Sequence, residues 1–256
     1  MTRELTDRAG HSTDADVGRT LVIDVVRVHR FMAIVTGLLA VGAAAALVIQ
    51  YPLGFGGGTA GAAARRLFGL NGERGFWAAA SFLFLFVTAV TVHLGTWADN
   101  VNPSVATHSR RWRLLALAMV FVAFDEAFRV HEWINGFLQT RLGLTGFLHF
   151  AWVIPYGAAA AVIAGLMVRP LSELPRRTAA LMVAGGFCYV LGAAGAELLD
   201  GQLKTINAPR SVRETQIVIE EALEWAGVWM FFAGVMTLLS KATLSVAVNR
   251  DAAGPG

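Results

Sequence analysis

Long apolar stretches separated by short polar segments recur along the chain and predict membrane-spanning helices. About 20 successive apolar residues allow a helix to cross the hydrocarbon core of a bilayer. Pro, Gly, Asn or Arg residues separate the stretches that reach this length. The six predicted spans are 31–50, 76–97, 114–134, 147–168, 178–199 and 216–240. The pattern therefore predicts an all-α fold, a polytopic transmembrane bundle of six helices.

The two ends of the chain differ from the apolar region between them. Residues 1–20 are polar and predict a disordered N-terminal segment, whereas residues 246–256 predict a flexible tail with Gly and Pro. Residues 21–245 form one predicted transmembrane domain. More Arg and Lys residues flank the spans on the N-terminal side of the membrane than on the other side. This bias predicts a cytoplasmic N-terminus, and an even number of spans returns the C-terminus to the cytoplasm.

Composition agrees with a multi-pass protein of the inner (plasma) membrane. Hydrophobic residues make up 55% of the chain and charged residues 15%, against roughly 25% charged in an average soluble domain. The mean hydropathy is +0.56. The net charge of +3 does not indicate a nucleic-acid partner, because the arginines lie mainly at predicted helix ends, where they meet lipid phosphates. The predicted partner is the lipid bilayer.

Small residues recur at intervals of four in the fifth predicted span. They are Ala184, Cys188, Gly192 and Ala196. This spacing allows two membrane helices to approach closely, so it predicts a helix-packing face. Cys188 is the only cysteine, which excludes a disulfide or a cysteine-based metal site within one chain.

Many ionisable residues lie inside the predicted spans. Such residues are costly in a membrane and by default indicate a functional site. Successive spans run in opposite directions, so a late position in one span and an early position in the next fall in the same leaflet. The outer leaflet would then contain Asp125, Glu126, Arg129, His131, Glu132, His149, Glu197, Glu220, Glu221 and Glu224.

The third span carries a polar face of its own. Asp125, Arg129 and Glu132 follow the spacing i, i+4, i+7, which places them on one face of a continuous helix. They could be ion-paired for structural reasons alone. Alternatively, they contribute to a catalytic site together with Glu126.

The excess of acidic over basic residues in this cluster requires compensation. Protons, metal cations or water could supply it. Carboxylates and imidazoles together suit Zn, Fe or Mn. The leading prediction is therefore a membrane-embedded, metal-dependent enzyme that acts on a lipidic or small-molecule substrate, with Asp125, Glu126 or Glu132 as a further ligand or general base. The predicted metal ligands are His131, His149, Glu197, Glu221 and Glu224.

Two other functions fit the same residues. A proton- or cation-coupled transporter would use the carboxylates as a relay, with Arg129 adjusting their proton affinity. The sequence shows no inverted repeat, although many transporters carry one, and a homodimer could supply the second half. A non-catalytic subunit of a membrane complex would instead pair its acids with another chain. The chain contains no HExxH, Walker or GxSxG motif.

Three segments carry a resemblance. They are Phe124-Asp125-Glu126 through His131-Glu132, Ala151 through Tyr156, and Glu220-Glu221-Ala222-Leu223-Glu224. They resemble a group of bacterial multi-pass membrane proteins that pair an LDE-type stretch ending in His-Glu with a later EExLE helix. The resemblance covers roughly 110–240 and implies that these acids and histidines belong together. It implies no particular reaction.

Overall fold

The computed structural model describes residues 76–240 throughout, and residues 19–21, 27, 30, 31, 33–38, 40, 41 and 244–246. Most of the predicted disordered N-terminal segment and C-terminal tail, and part of the predicted first span, lie outside these residues. Residues 30, 31, 33–38, 40 and 41 are helical and are called here the first helical segment. The remaining elements are β1 (Arg19–Leu21), α1 (Phe76–Gly95), α2 (Pro103–Thr107), α3 (Ser109–Phe128), α4 (Val130–Leu142), a 3-10 turn (Gly146–Leu148), α5 (Val153–Ser172), α6 (Arg176–Val190), a π-helix (Leu191–Ala196), α7 (Glu197–Thr205), α8 (Arg210–Leu239) and β2 (Leu244–Val246).

Four of the described helices are long and apolar enough to cross a membrane. Two lie within α1 and α5, the third runs without interruption from α6 through the π-helix to α7, and the fourth is α8. Their windows are Ala78–Gly95, Val153–Ser172, Arg176–Thr205 and Arg210–Leu239. The protein is therefore helical and suited to a lipid bilayer, as the sequence predicts.

The two ends of the helical domain meet in a short ladder. β1 pairs with β2 in an antiparallel two-stranded sheet, with Thr20 opposite Ser245. Because β1 precedes the first helical segment and β2 follows α8, the chain enters and leaves the domain at the same end. The first helical segment also contacts α8, since the Trp229 indole N–H donates to Thr36 Oγ1 at 3.0 Å.

Aromatic residues fill the core between α1 and α8. The Phe84 ring is 2% exposed and lies 5.2 Å from the Trp229 ring and 5.5 Å from the Phe232 ring, between centroids. Trp112 of α3 is likewise buried in this core. Such edge-to-face contacts add to the stabilisation that burial itself provides. The aromatic core thereby fixes α8 against α1.

Glycines bring α6 and α8 into direct backbone contact. A Cβ atom placed on Gly185 would lie 2.5 Å from the Phe231 backbone nitrogen, and one on Gly227 would lie 2.5 Å from that of Tyr189. Of the small residues predicted to form the packing face, Gly192 and Ala196 are buried, but Ala184 is exposed. That prediction is therefore only partly right, because the closest contacts on this face are made by Gly185 and Gly192, which are seven residues apart.

The predicted third span is not a single helix. α3 ends at Phe128, and Arg129 adopts a left-handed conformation with φ 57° and ψ 43° before α4 begins at Val130. No glycine or proline lies between Ser109 and Asn135 to indicate a break. The prediction that Asp125, Arg129 and Glu132 share one helical face is therefore wrong, because the helix changes direction between them.

Candidate functional site

Asp125 lies at the centre of the polar cluster, in the last turn of α3. Its side chain is buried and accepts three hydrogen bonds. The His131 backbone N–H donates to Oδ1 at 2.7 Å, and the Tyr156 hydroxyl donates to the same oxygen at 3.0 Å. His131 Nδ1 lies 2.8 Å from Oδ2. Since the backbone N–H belongs to the first turn of α4, Asp125 caps that helix from across the break.

Trp152, just before α5, packs against the His131 imidazole, and Tyr156 of α5 packs against Trp152. The centroid of Trp152 lies 5.0 Å from that of His131 and 4.9 Å from that of Tyr156. Trp152 is 6% exposed, and its indole N–H has no hydrogen-bond partner in the part of the chain that the structure describes. The imidazole is thus held at one nitrogen and packed on one face.

Five glutamates from three elements form an acidic cluster beside Asp125 and His131. Glu224 of α8 interacts electrostatically with the four others, which come from α3, α7 and α8. These four are Glu126, Glu197, Glu220 and Glu221. Gly192 allows Glu224 to reach this position, because a Cβ atom on Gly192 would lie 2.7 Å from Glu224 Cγ. The glycine contact between helices therefore also positions an acid of the cluster.

Glu197 enters the cluster directly after the π-helix. The π-helix occupies Leu191–Ala196, so Glu197 is the first residue that follows it. Helices with local π geometry occur frequently at functional sites. Glu197 also interacts with Glu220, Lys204 and His131, and its Oε2 atom is buried with no hydrogen-bond partner among the described residues.

Gln216 is a further residue of the cluster, and it was not among the site residues predicted from the sequence. Gln216 is 4% exposed, and its Nε2 donates to the Ala196 carbonyl at 3.1 Å and to Glu220 Oε2 at 2.8 Å. Its position four residues before Glu220, on the same face of α8, is the signal that identifies it. Gln216 connects the end of the π-helix to the acids of α8.

Asp200 lies at the end of the cluster where the chain passes from α7 to α8. Arg213 Nε lies 3.0 Å from Asp200 Oδ1, and Lys204 Nζ lies 3.1 Å from Oδ2. Beyond this pairing lies a surface cavity of about 410 Å³, lined by residues that include Arg210 and Arg213. The cationic side chains thus lie at the edge of the cluster rather than inside it.

Several predicted site residues are engaged elsewhere. Arg129 forms an ion pair with Glu132 across the first turn of α4. His149 lies in the turn before α5, where its Cβ faces Gly201. Its backbone carbonyl accepts a hydrogen bond from Gln139.

The predicted metal ligands do not converge. Within the described residues, no three His, Cys, Asp or Glu side chains are arranged so that they could hold a metal ion. The structure brings Glu197, Glu221 and Glu224 into one acidic cluster with His131 at its edge, but their side chains form no coordination set.

A comparison with protein families identifies a relationship over most of the chain. Residues 31–239 match the family described as a domain of unknown function, DUF8692. The chain therefore belongs to this family. Neither the curated proteins nor the solved structures contain a match.

Proposed function

We propose that this member of the DUF8692 family is a proton- or cation-coupled membrane transporter, and one observation carries the proposal. The acidic cluster is bordered by two irregularities in its helices, the break at Arg129 and the π-helix that precedes Glu197. In many transporters the ion sites lie at mid-membrane, where spanning helices are interrupted. Glu224 lies near the middle of the 30-residue helix α8, about 21 Å from its start at ~1.5 Å per residue.

The charge balance of the cluster supports an ion as its cargo. The cationic groups Arg213 and Lys204 pair with Asp200, and Arg129 pairs with Glu132. Uncompensated charges inside a bilayer are costly, so protons or exchangeable cations would balance the negative charge of Glu224 and its neighbours Glu126, Glu197 and Glu220. A site whose occupancy changes with the ion supply is what coupling requires.

The ionisable residues of α8 all lie toward one end of that helix. Polar and ionisable residues follow α8 from Arg213 through Gln216 and Glu220 to Glu224, whereas the rest of the helix, Trp225–Leu239, contains no ionisable residue. This asymmetry would suit alternating access, in which an ion site communicates with only one side of the membrane at a time.

A six-span topology completes the proposal. The first helical segment and α3 would add two spans to the four apolar helices. The ladder of β1 with β2 supports an even number of spans, because it holds both flanks of the domain together. The distribution of arginines favours the cytoplasmic side of a plasma membrane for these flanks. A homodimer would supply a second, oppositely arranged half.

A metal-dependent enzyme is the second candidate, and the Asp125–His131 pair favours it. A carboxylate that holds one imidazole nitrogen commonly orients the other toward a metal. His131 and Glu197 would then be the ligands of Zn, Fe or Mn. The candidate ranks second because no third ligand converges on them within the described residues.

Flux measurements on reconstituted protein test the transport proposal. Proteoliposomes that contain a pH-sensitive dye receive an imposed gradient of protons, Na⁺ or K⁺, and the internal pH is recorded. We expect wild-type protein to dissipate or exchange the gradient, and Glu224→Gln to abolish this flux. Glu214→Gln is the matched control, because Glu214 lies on the same helix but pairs with Arg210 at its exposed end.

The same preparation separates the two candidates. Rates equal to those of empty liposomes under all three gradients would reject the transport proposal. Elemental analysis of protein purified without a nickel column then tests the enzyme. One equivalent of Zn, Fe or Mn, lost in His131→Ala, would favour it.

A further inference from the structure

The orientation of the Gln216 amide is fixed by its neighbours. Nε2 faces two oxygen atoms, the Ala196 carbonyl and Glu220 Oε2. Exchanging the amide nitrogen and oxygen would place oxygen against oxygen, so the assignment follows from the hydrogen bonds. Oε1 is therefore the free acceptor. It is buried, and no described residue donates a hydrogen bond to it.

Glu197 carries a second buried oxygen that has no hydrogen-bond partner among the described residues. Glu197 follows Ala196, whose carbonyl binds Gln216, and Glu197 Oε2 is buried and unpartnered within the described part of the chain. Native proteins satisfy nearly all buried polar atoms. Both unpartnered acceptors belong to residues that interact with Glu220, so together they indicate a bound species that is attracted to oxygen.

The surrounding charge selects a cation as that species. Glu197 and Glu220 interact with each other, and Asp200 adds further negative charge to both. Lys204 and His131 are the opposing groups around Glu197, but Lys204 already pairs with Asp200. Oxygen atoms in a negative environment bind a cation more favourably than they bind a neutral molecule such as water.

The donor set indicates which class of cation would bind. Carboxylate and amide oxygens suit hard cations, whereas imidazole and thiolate suit Zn and Fe. Divalent ions commonly take several carboxylates, and no group of three acids or histidines converges among the described residues. Two carboxylates and one amide oxygen hold a monovalent cation less tightly than a divalent one, which suits the exchange that coupled transport requires.

We propose that Glu197, Gln216 and Glu220 bind a hard monovalent cation through oxygen, with Na⁺ as its probe. The inference rests on the proposed transport function, for which it supplies the coupling ion. It shares Glu197 with the Zn, Fe or Mn site expected from the sequence but differs from it in the other ligands and in the class of metal.

Sodium binding to purified full-length protein tests this site directly. Equilibrium binding of ²²Na⁺ in detergent, at constant ionic strength maintained with choline chloride, should be saturable at one equivalent. Gln216→Leu removes the amide oxygen at similar size and should weaken binding at least tenfold. Glu214→Gln lies half a turn away on α8, outside the proposed site, and should leave binding unchanged.

A thermal measurement covers the case in which the variant does not fold. The unfolding temperature of wild-type protein should rise with Na⁺ in a saturable manner and remain constant with choline. No saturable binding to wild type, or equal binding to folded Gln216→Leu, would overturn the site. Sodium binding without flux would retain the site and reject transport, whereas proton flux without sodium binding would reject the site alone.

Discussion

Asp125 holds His131 through both its backbone and its ring. The backbone N–H donates to Oδ1 at 2.7 Å, and Nδ1 lies 2.8 Å from Oδ2. One carboxylate therefore stabilises the helix break at Arg129 and orients the imidazole. A residue that was selected from the sequence for its chemistry is also the reason that the helix ends where it does.

We expect Asp125→Ala to destabilise the protein more than any single loss of its partners. Three donors lose their acceptor, and a lost charged hydrogen bond costs roughly 1.5–3 kcal/mol. Tyr156→Phe removes only one of these bonds and should cost roughly 1.5–3 kcal/mol. Thermal unfolding in detergent compares the two variants. Equal effects would show that Asp125 does not cap α4.

The contact between α6 and α8 should not tolerate a methyl group at Gly185. The added Cβ would lie 2.5 Å from a backbone nitrogen of α8, which cannot move aside as a flexible side chain could. We expect Gly185→Ala to cost ~3 kcal/mol, the upper range for overpacking. Gly186→Ala is the matched control, since nothing lies within 4 Å of its Cβ position. Similar unfolding temperatures for both variants would contradict the helix contact.

Replacing glycine by alanine should have opposite effects on stability at two positions of the α4 region. Gly143 caps α4 with φ 57°, a conformation that costs an L-residue roughly 1–2 kcal/mol, so Gly143→Ala should lower the unfolding temperature. Gly136 lies within the helix with nothing within 4 Å of its Cβ position. Gly136→Ala should raise stability by about 0.5–1 kcal/mol. A gain for both variants would show that α4 does not end at Gly143.

Acid should weaken a surface ion pair between the loops that flank α3 and α5. His108 Nε2 lies 3.0 Å from Glu173 Oε2, and this hydrogen bond, assisted by Arg169, lowers the pKa of Glu173 from its ordinary 4.5. The stabilisation is therefore complete above pH 4.5 and is lost as the pH falls through the lowered pKa.

The variant Glu173→Gln measures that contribution. Its unfolding temperature should lie slightly below that of wild type at neutral pH, and the difference should disappear in acid. A difference that persists in acid, when Glu173 is protonated, would show that the effect does not arise from its charge. We expect this change to be the smallest of the set, because the pair is exposed and solvent screens it.

The apolar spans were predictable because their signal is local. The predicted span 76–97 agrees closely with α1, and 178–199 lies inside the long helix from α6 to α7. Length and hydrophobicity alone determine such segments. The grouping of Glu197 with Glu224 was also predictable, because the direction of each span brings both residues to the same level of the bundle.

Tertiary structure decided the features that no local pattern contains. Arg129 adopts a left-handed conformation without glycine or proline because Asp125, four residues before it, caps the next helix. The spacing of Gln216 and Glu220 in the sequence places them on one helical face, but only the contact of Gln216 with the Ala196 carbonyl, twenty residues earlier in the chain, shows that it connects the π-helix to the cluster. The metal-ligand set predicted from residue types did not converge within the described chain, because composition and depth do not fix the rotation of one helix against another. The sequence thus determined which segments are long and apolar enough to cross a membrane, whereas long-range contacts determined which atoms of these segments meet.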